Sequence, residues 1–403
     1  MLLELEPYQV EHGQKQALLS AELTHLTQHH QHHCGHYARL LAAQWPDMAW
    51  STPKSVAELP YLSVRLFKQL HLQSIADADV FKTLYSSGTT GTPSRIALDS
   101  ATAALQSKIL VKIMQQWIGK ARQPMLIIDH PSVIKDRQNF SARGAGIQGL
   151  SFMGRNHCFA LNDDMSINWP ALTEFCDKFS AGPVLVFGFT FMVWQSFIQQ
   201  LKQQGKQLHL PHGVLLHSGG WKKLQDIAVD NPSFKSAVYD TCGIARVHNF
   251  YGMVEQVGAI FVECQHGHLH CPSYADVLVR RPHDWSVADV GEEGVLQLLS
   301  NIPKSYPGHS LLTEDRGVLL GEDDCPCGKK GKYFHVLGRL AQAEARGCSD
   351  TFSMPESERA PAATDVNTTA SSAVRTGAIS LPSTGTDAAQ ASSSNIHRSG
   401  KIK

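Results

Sequence analysis

The sequence has no long hydrophobic run. No stretch approaches the roughly eighteen apolar residues that a membrane-spanning helix needs, and the opening Met1-Leu2-Leu3-Glu4-Leu5-Glu6 sets no basic segment ahead of an apolar one. A membrane span and a leader peptide are therefore not expected, and the location expected is the cytoplasm. Surplus charge is also missing. Lys and Arg total 36, Asp and Glu total 36, and the formal net charge is zero. Such a chain carries no global field to gather nucleic acid. The even cysteine count of a disulfide scaffold is absent too. Nine cysteines in a reducing compartment point to thiol chemistry or metal instead. What remains is a 403-residue chain, 42% hydrophobic, long enough for two or three domains with a sizeable core.

The densest local signal is Tyr85-Ser86-Ser87-Gly88-Thr89-Thr90-Gly91-Thr92-Pro93-Ser94-Arg95. Hydroxyls and glycines crowd it, between a short apolar stretch at Val80-Phe81-Lys82-Thr83-Leu84 and another at Ile96-Ala97-Leu98. Glycine lets the backbone turn tightly and approach an anion closely. Consecutive N–H groups and hydroxyls can then wrap phosphate oxygens. The Gly-Lys-Ser/Thr ending of a Walker A loop is missing, and the plain alternative is a polar hairpin turn.

Along the rest of the chain, residues 1 to about 50 read as helix, with leucines near helical spacing and six histidines between His25 and His36. His29 and His33, one turn apart, would suit a metal. With no acidic partner nearby, and no thiol but Cys34, a solvated helix face is the expected reading. Residues 101–118 carry a helical stripe of Leu105, Ile109, Ile113 and Trp117. Ser141-Ala142-Arg143-Gly144-Ala145-Gly146 reads as a flexible loop. Almost wholly apolar strands at Met125–Asp129, Pro183–Gly188 and Val214–His217 alternate with helical segments. That pattern predicts an α/β fold with a largely parallel sheet covered on both faces, and ligand binding beyond the carboxyl ends of the strands. Two such ends carry glycine turns. One is Ser218-Gly219-Gly220 before Trp221, Lys222 and Lys223, expected to open a helix. The other is Tyr251-Gly252 before Glu255, a carboxylate placed to approach Mg²⁺. Each has an ordinary strand-to-helix turn as its alternative.

These segments together resemble, in chain order, the motifs of the adenylate-forming enzymes, which make acyl-AMP from ATP and a carboxylate. The stretch from Ser86 to Thr92 resembles their phosphate loop, with Ser94-Arg95 in place of Lys-Gly. Ser218-Gly219-Gly220 resembles the glycine loop that flanks adenine. Tyr251-Gly252-Met253-Val254-Glu255 resembles Tyr-Gly-x-Thr-Glu, with Val254 in place of Thr. Thr313-Glu314-Asp315 resembles the Thr-Gly-Asp whose aspartate holds the ribose hydroxyls, and Gly338-Arg339 the Gly-Arg hinge. The resemblance implies the adenylate-forming N-terminal domain with a smaller β-rich part, and ATP with Mg²⁺ bound by these residues. Nothing in the chain resembles the lysine-bearing C-terminal domain typical of such ligases.

Cys264-Gln265-His266-Gly267-His268-Leu269-His270-Cys271 and Cys325-Pro326-Cys327-Gly328 can between them supply four soft ligands to a tetrahedral Zn²⁺. Phenylacetate-CoA ligases and their relatives resemble this region, which implies Cys264, His270, Cys325 and Cys327 as the ligand set, with a structural role for the metal. The alternative is a group of reduced thiols. Near the end of the ordered pattern, Arg346-Gly347-Cys348 places a thiol beside a cation and a flexible residue. Residues 1 to 353 are similar to the acyl-protein synthetase family of bacterial luciferase operons, in which a cysteine at the position of Cys348 accepts the acyl group for a partner acyl reductase or acyltransferase. The resemblance implies a ligase that activates a fatty or other carboxylic acid. The alternatives are an acyl- or aryl-CoA ligase using free coenzyme A, and an inactive nucleotide-binding scaffold. The expected organisation is a helical region over 1–80, an adenylate-forming core over 81–353, and a disordered Ala/Ser/Thr-rich tail over 354–403.

Overall fold

A computed structural model describes residues 2–46, 55–86, 92–134, 142–221 and 228–340. The chain opens with helix α1 (His12–His33) and α2 (Gly35–Gln44). A two-residue strand β1 (Leu62–Ser63) and the short helix α3 (Leu66–Gln69) follow. A hairpin of β2 (Lys82–Tyr85) and β3 (Arg95–Leu98) leads into helix α4 (Ser100–Ile118). Asp99 caps that helix by accepting from the Thr102 N–H at 2.6 Å. Ile109, Ile113 and Trp117 of the expected stripe are buried, and Leu105 is partly buried against them.

Five strands then form the parallel half of a large sheet. They are β4 (Gln123–Ile127), β5 (Gly154–Phe159), β6 (Leu185–Phe189), β7 (Val214–Ser218) and β8 (Arg246–Tyr251), in the spatial order β5-β4-β6-β7-β8. Between them run α5 (Ala142–Ser151), α6 (Trp169–Phe179), a π-helical segment Met192–Gln199 continued by α7 (Gln200–Gln203), and α8 (Asn231–Cys242). Of the loop read at residues 141–146, Ser141 lies outside the described residues and 142–146 are helix instead. Glycines there signal a turn from sequence, but Gly146 serves packing. A Cβ on it would sit 3.0 Å from Cζ of Phe189, so its absence lets α5 lie close on β6.

Strand β8 pairs antiparallel with β9 (Phe261–Glu263), and from there the same sheet continues antiparallel. Its remaining members are β10 (Leu269–His270), β11 (Ala275–Arg280), β12 (Glu293–Ser300), β13 (Ser310–Glu322) and β14 (Lys332–Arg339), in the order β9-β10-β14-β13-β12-β11, and β1, which pairs parallel with β13. The fold class is the α/β class read from sequence. The antiparallel strands extend the parallel sheet rather than making a sheet of their own.

The N-terminal helices are fixed to this antiparallel half. Leu19, Leu23 and Leu26 of α1 pack with Leu278 and Leu299. Asp276 of β11, fully buried, accepts from Lys332 Nζ at 2.9 Å and from Gln16 Nε2 at 2.8 Å, with Lys15 Nζ at 3.5 Å. The histidine run is only partly a solvated face. His25, His32 and His33 are exposed, but His30 is buried. Its ring stacks 5.1 Å from His309 and bonds Ser74 Oγ at 2.8 Å. A long helix docked by one face must bury every residue on that face, polar ones included, and His30 finds partners there.

Candidate nucleotide site and thiol–histidine cluster

The candidate site lies where the parallel half meets the antiparallel half, at the carboxyl ends of β6, β7 and β8. Ser218, the last residue of β7, donates its hydroxyl to the carbonyl of Phe250 at 2.8 Å and so ties two strand ends together. Gly219 follows at φ +87°, a conformation that favours glycine, and a Cβ there would lie 3.3 Å from Phe189 Cδ1. The next strand ends at Tyr251. Its hydroxyl donates to Asp315 Oδ2 at 2.6 Å. Asp315 faces Arg339 across the β13–β14 ladder, and Arg339 Nε lies 3.6 Å from Asp315 Oδ1. The backbone turn at Asp315 is held by its own N–H on Thr313 Oγ1 at 3.1 Å, and Arg65 grips the adjoining Glu314 at 2.6 Å.

Burial pushes the Asp315 carboxyl up, while Tyr251 and Arg339 pull it back towards the ionised form. Glu255 sits in a short 3₁₀ turn (Val254–Gln256) and is buried. Burial raises its carboxyl too, opposed by the Ser94 hydroxyl and by the charges of Lys68 and Arg339. Ser94 closes the β2–β3 hairpin, its N–H donating to Ser86 Oγ at 2.8 Å. The rim of the hydroxyl-and-glycine turn, Glu255, Arg339, Asp315 and Tyr251 are thus neighbours in space. A carboxyl pushed up by burial is the kind of group that a cation restores to the ionised form. Of the turn itself, Ser86 and Thr92 are described. Ser87, Gly88, Thr89, Thr90 and Gly91 lie outside the described residues, as do Lys222, Lys223 and Cys348. Arg95 is exposed and its guanidinium lies 2.6 Å from His71 Nε2.

The second constellation joins the loops around β10 to the turn before β14. The ligand atoms of Cys264, His270, Cys325 and Cys327 all fall within 4.8 Å of one another. Cys264 Sγ is 4.0 Å from Cys325 Sγ, and Cys327 Sγ is 3.3 Å from His270 Nε2. A tetrahedral Zn²⁺ with bonds of about 2.3 Å to sulfur and 2.0 Å to nitrogen spaces its ligand atoms roughly 3.5–3.8 Å apart, so the four donors fit. Burial pushes the Cys325 thiol up to about 12 and the His270 imidazole down to about 3.

Comparison with known proteins decides the family. The family "acyl-protein synthetase, LuxE" matches residues 1–356. The chain belongs to that family. A long-chain-fatty-acid–luciferin-component ligase of Aliivibrio fischeri is 23% identical over 307 residues, spanning 73% of this chain and 78% of the relative. Among solved structures, an open conformation of 2-hydroxyisobutyryl-CoA ligase in complex with 2-HIB-AMP and CoA aligns at TM-score 0.63 and 15% identity, over 84% of this chain and 79% of that one. The same ligase in its postadenylation state with R3-HIB-AMP aligns at 0.62 and 14%, over 83% and 69%. At these identities the likeness is one of fold. Membership makes the chain a ligase. No helix among the described residues is long and apolar enough to cross a membrane.

Within this LuxE-family chain, two neighbours of the sites have no role of their own in the sequence reading. His268 Nδ1 lies 3.3 Å from Cys325 Sγ, beside the cluster rather than in the four-residue group. Two residues before His270 it shares that residue's strand face, and only the fold shows which histidine joins the three thiols. Asn249 lies beside His217 in the β7–β8 register, and its Oδ1 is buried without a partner among the described residues. Its position two residues before Tyr251, on the same strand face, is the signal that sequence offered.

Proposed function

We propose that the chain joins a fatty or other carboxylic acid to ATP and then passes the acyl group to its own Cys348. The carboxylate oxygen attacks the α-phosphorus, the α–β anhydride bond breaks and pyrophosphate leaves. The Cys348 thiolate then attacks the acyl carbon of acyl-AMP, the bond to phosphate breaks and AMP leaves. The thiol proton passes to solvent. Ser86 to Thr92 cradle the departing phosphates. Ser218, Gly219 and Gly220 with Tyr251 and Gly252 flank the base. Asp315, oriented by Tyr251, accepts the ribose hydroxyls, and Arg339 supplies positive charge beside it. Glu255 helps hold the Mg²⁺ that accompanies ATP. That ion, when bound, neutralises phosphate charge. Catalysis on this reading is positioning and charge compensation.

The observation that carries the reading is the grouping of Asp315, Tyr251, Arg339, Glu255 and Ser94 at the carboxyl edge of a LuxE-family sheet. Cys264, His270, Cys325 and Cys327 are assigned as a structural Zn²⁺ site that pins β10 to the turn ahead of β14. The catalytic core is 81–353, against which a helical region of 1–80 packs and beyond which 354–403 plays no part in the chemistry. The setting is the cytoplasm, and the acyl group's destination is a partner reductase or acyltransferase.

Incubation of the full chain with ATP and radiolabelled myristate tests this. The expected result is label on the protein that survives denaturing electrophoresis, is released by hydroxylamine and is missing from Cys348→Ala. Release of acyl-CoA from free coenzyme A, without labelled protein, would replace the second step by that of a CoA ligase. No product under either condition, with nucleotide still bound, would make the chain a nucleotide-binding scaffold.

A further inference from the structure

We infer that Lys68, on the short helix α3 of the N-terminal region, supplies a cation to the β and γ phosphates of ATP. The segment around it is then part of the nucleotide site and not only packing beside it. This rests on the ligase reading above.

The backbone fixes this segment against the site. Leu62 and Ser63 of β1 run parallel to Leu311 and Leu312 of β13, and the Val64 N–H donates to the Leu312 carbonyl at 2.9 Å. Strand β13 then continues into Thr313, Glu314 and Asp315. On the other side of α3, the buried Phe67 meets Tyr306 edge-on, with ring centroids 6.0 Å apart. The Tyr306 hydroxyl in turn accepts from the N–H of Val257, two residues past Glu255, at 3.2 Å. Leu66 and Leu70 pack in the same apolar cluster as Met253 and Val254. Helix α3 is thus tied to both the Asp315 strand and the Glu255 turn.

Side chains on either flank of Lys68 are engaged at the same rim. Arg65, one turn before it, meets Glu314 Oε1 at 2.6 Å through Nε. His71, three residues after it, meets the Arg95 guanidinium at 2.6 Å. Half-buried Lys68 stands between these two contacts. Burial pushes the Glu255 carboxyl up, and the Ser94 hydroxyl and the charges of Lys68 and Arg339 draw it back. Lys68 is therefore close to the carboxylate proposed to hold Mg²⁺.

Breaking the α–β anhydride leaves negative charge on pyrophosphate, and a cation already in place stabilises it. Arg95 follows the hydroxyl-and-glycine turn, but its guanidinium is directed at His71. Arg65 is engaged with Glu314, and Arg339 lies 3.6 Å from Asp315 at the ribose end. Lys68 is, among the described residues, the cation beside Glu255 that none of these contacts directs away from the phosphates. A compact ammonium on a flexible stem suits phosphate oxygens. With Mg²⁺ and ATP bound, the metal takes over Glu255 and the ammonium turns to the phosphates.

Two substitutions in the full chain test this. Lys68→Met keeps the aliphatic stem and removes the charge, and Lys68→Arg keeps the charge. Binding of ATP and of AMP is measured by titration calorimetry, with Mg²⁺ and again in EDTA. The expected result for Lys68→Met is roughly ten-fold or more weaker ATP binding under both conditions, with AMP binding changed by less than about two-fold. Lys68→Arg should retain most of the ATP affinity. Equal weakening of ATP and AMP would make Lys68 a structural residue and overturn the inference, as would unchanged binding of both. A loss of ATP binding seen only with Mg²⁺ would mean that Lys68 acts through Glu255 and its metal, which also overturns it. If wild type shows no acid-dependent pyrophosphate exchange but ATP binding still depends on Lys68 as expected, the phosphate contact stands and the ligase reading falls. Wild type that binds neither nucleotide would overturn both.

Discussion

Replacing Tyr251 by Phe removes one hydroxyl and little else. The ring is held by Phe261 and Phe334, with centroids 6.2 and 6.3 Å away, so the apolar packing survives. What goes is the 2.6 Å hydrogen bond to Asp315 Oδ2. A hydrogen bond to a charged group contributes about 1.5–3 kcal/mol, and one pKa unit corresponds to about 1.4 kcal/mol. Burial already pushes the Asp315 carboxyl up, and Tyr251 opposes that. Without the hydroxyl the carboxyl rises further. Only the ionised form accepts both ribose hydroxyls, so nucleotide binding in Tyr251→Phe fails at a higher pH than in wild type. The assay is pyrophosphate exchange at subsaturating ATP, followed from pH 5 to 9. The acid limb should move towards neutrality, with little change near pH 9. Superimposed acid limbs, or a shift to lower pH, would refute the placing of Asp315 and Tyr251 at the nucleotide.

Three further outcomes follow from buried groups. Asp276→Asn leaves Lys15 and Lys332 buried without their counter-charge and should lower stability by about 3–5 kcal/mol in urea titration; a loss under 1 kcal/mol would contradict the pinning of α1 to the sheet. The wild-type Asp276 carboxyl is held down to about 2, with the nearby Lys332 and Lys15 charges outweighing burial, so its contribution is present above the ordinary aspartate range and fades as pH falls from about 4 towards 2. His309 is held neutral by burial, with its imidazole pushed down to about 3. The unfolded chain therefore takes up protons first as pH falls below about 6.5, and stability drops by up to about 1.4 kcal/mol per pH unit for this residue; thermal unfolding of His309→Gln should show a shallower acid decline. Metal analysis of the purified chain should find close to one Zn²⁺ per chain, lost in Cys325→Ser together with a fall in melting temperature; equal zinc content in both proteins would remove the four-residue assignment.

The sequence told most where chemistry needs rare residue combinations. The apolar strands ending at Ile127, Phe189 and Ser218 were legible because parallel strands buried on both faces carry no polar alternation. The order of Gly219, Gly252, Glu255, Asp315 and Arg339 along the chain named a site whose Tyr251–Asp315 bond and Ser94–Glu255 proximity needed the fold to appear. What escaped was set by docking. His30 became a buried ring because α1 lies against β11, β12 and the loop of Pro303 and His309, which no local pattern reports. Gly146 read as part of a loop because a glycine that lets a helix approach a strand looks the same in sequence as one that makes a turn. His268 and His270 differ by two positions and so share a strand face, and only tertiary contacts separate their roles.

The central claim is that a carboxylic acid is joined to the α-phosphate of ATP where the two halves of the sheet meet. The most direct measurement is the exchange of radiolabelled pyrophosphate into ATP by the full chain, with and without each of a panel of carboxylic acids. The account predicts exchange that requires an acid and falls at least about a hundred-fold in Asp315→Ala, since a positioned charged partner is lost. Acid-independent exchange, or full exchange in Asp315→Ala, would contradict it.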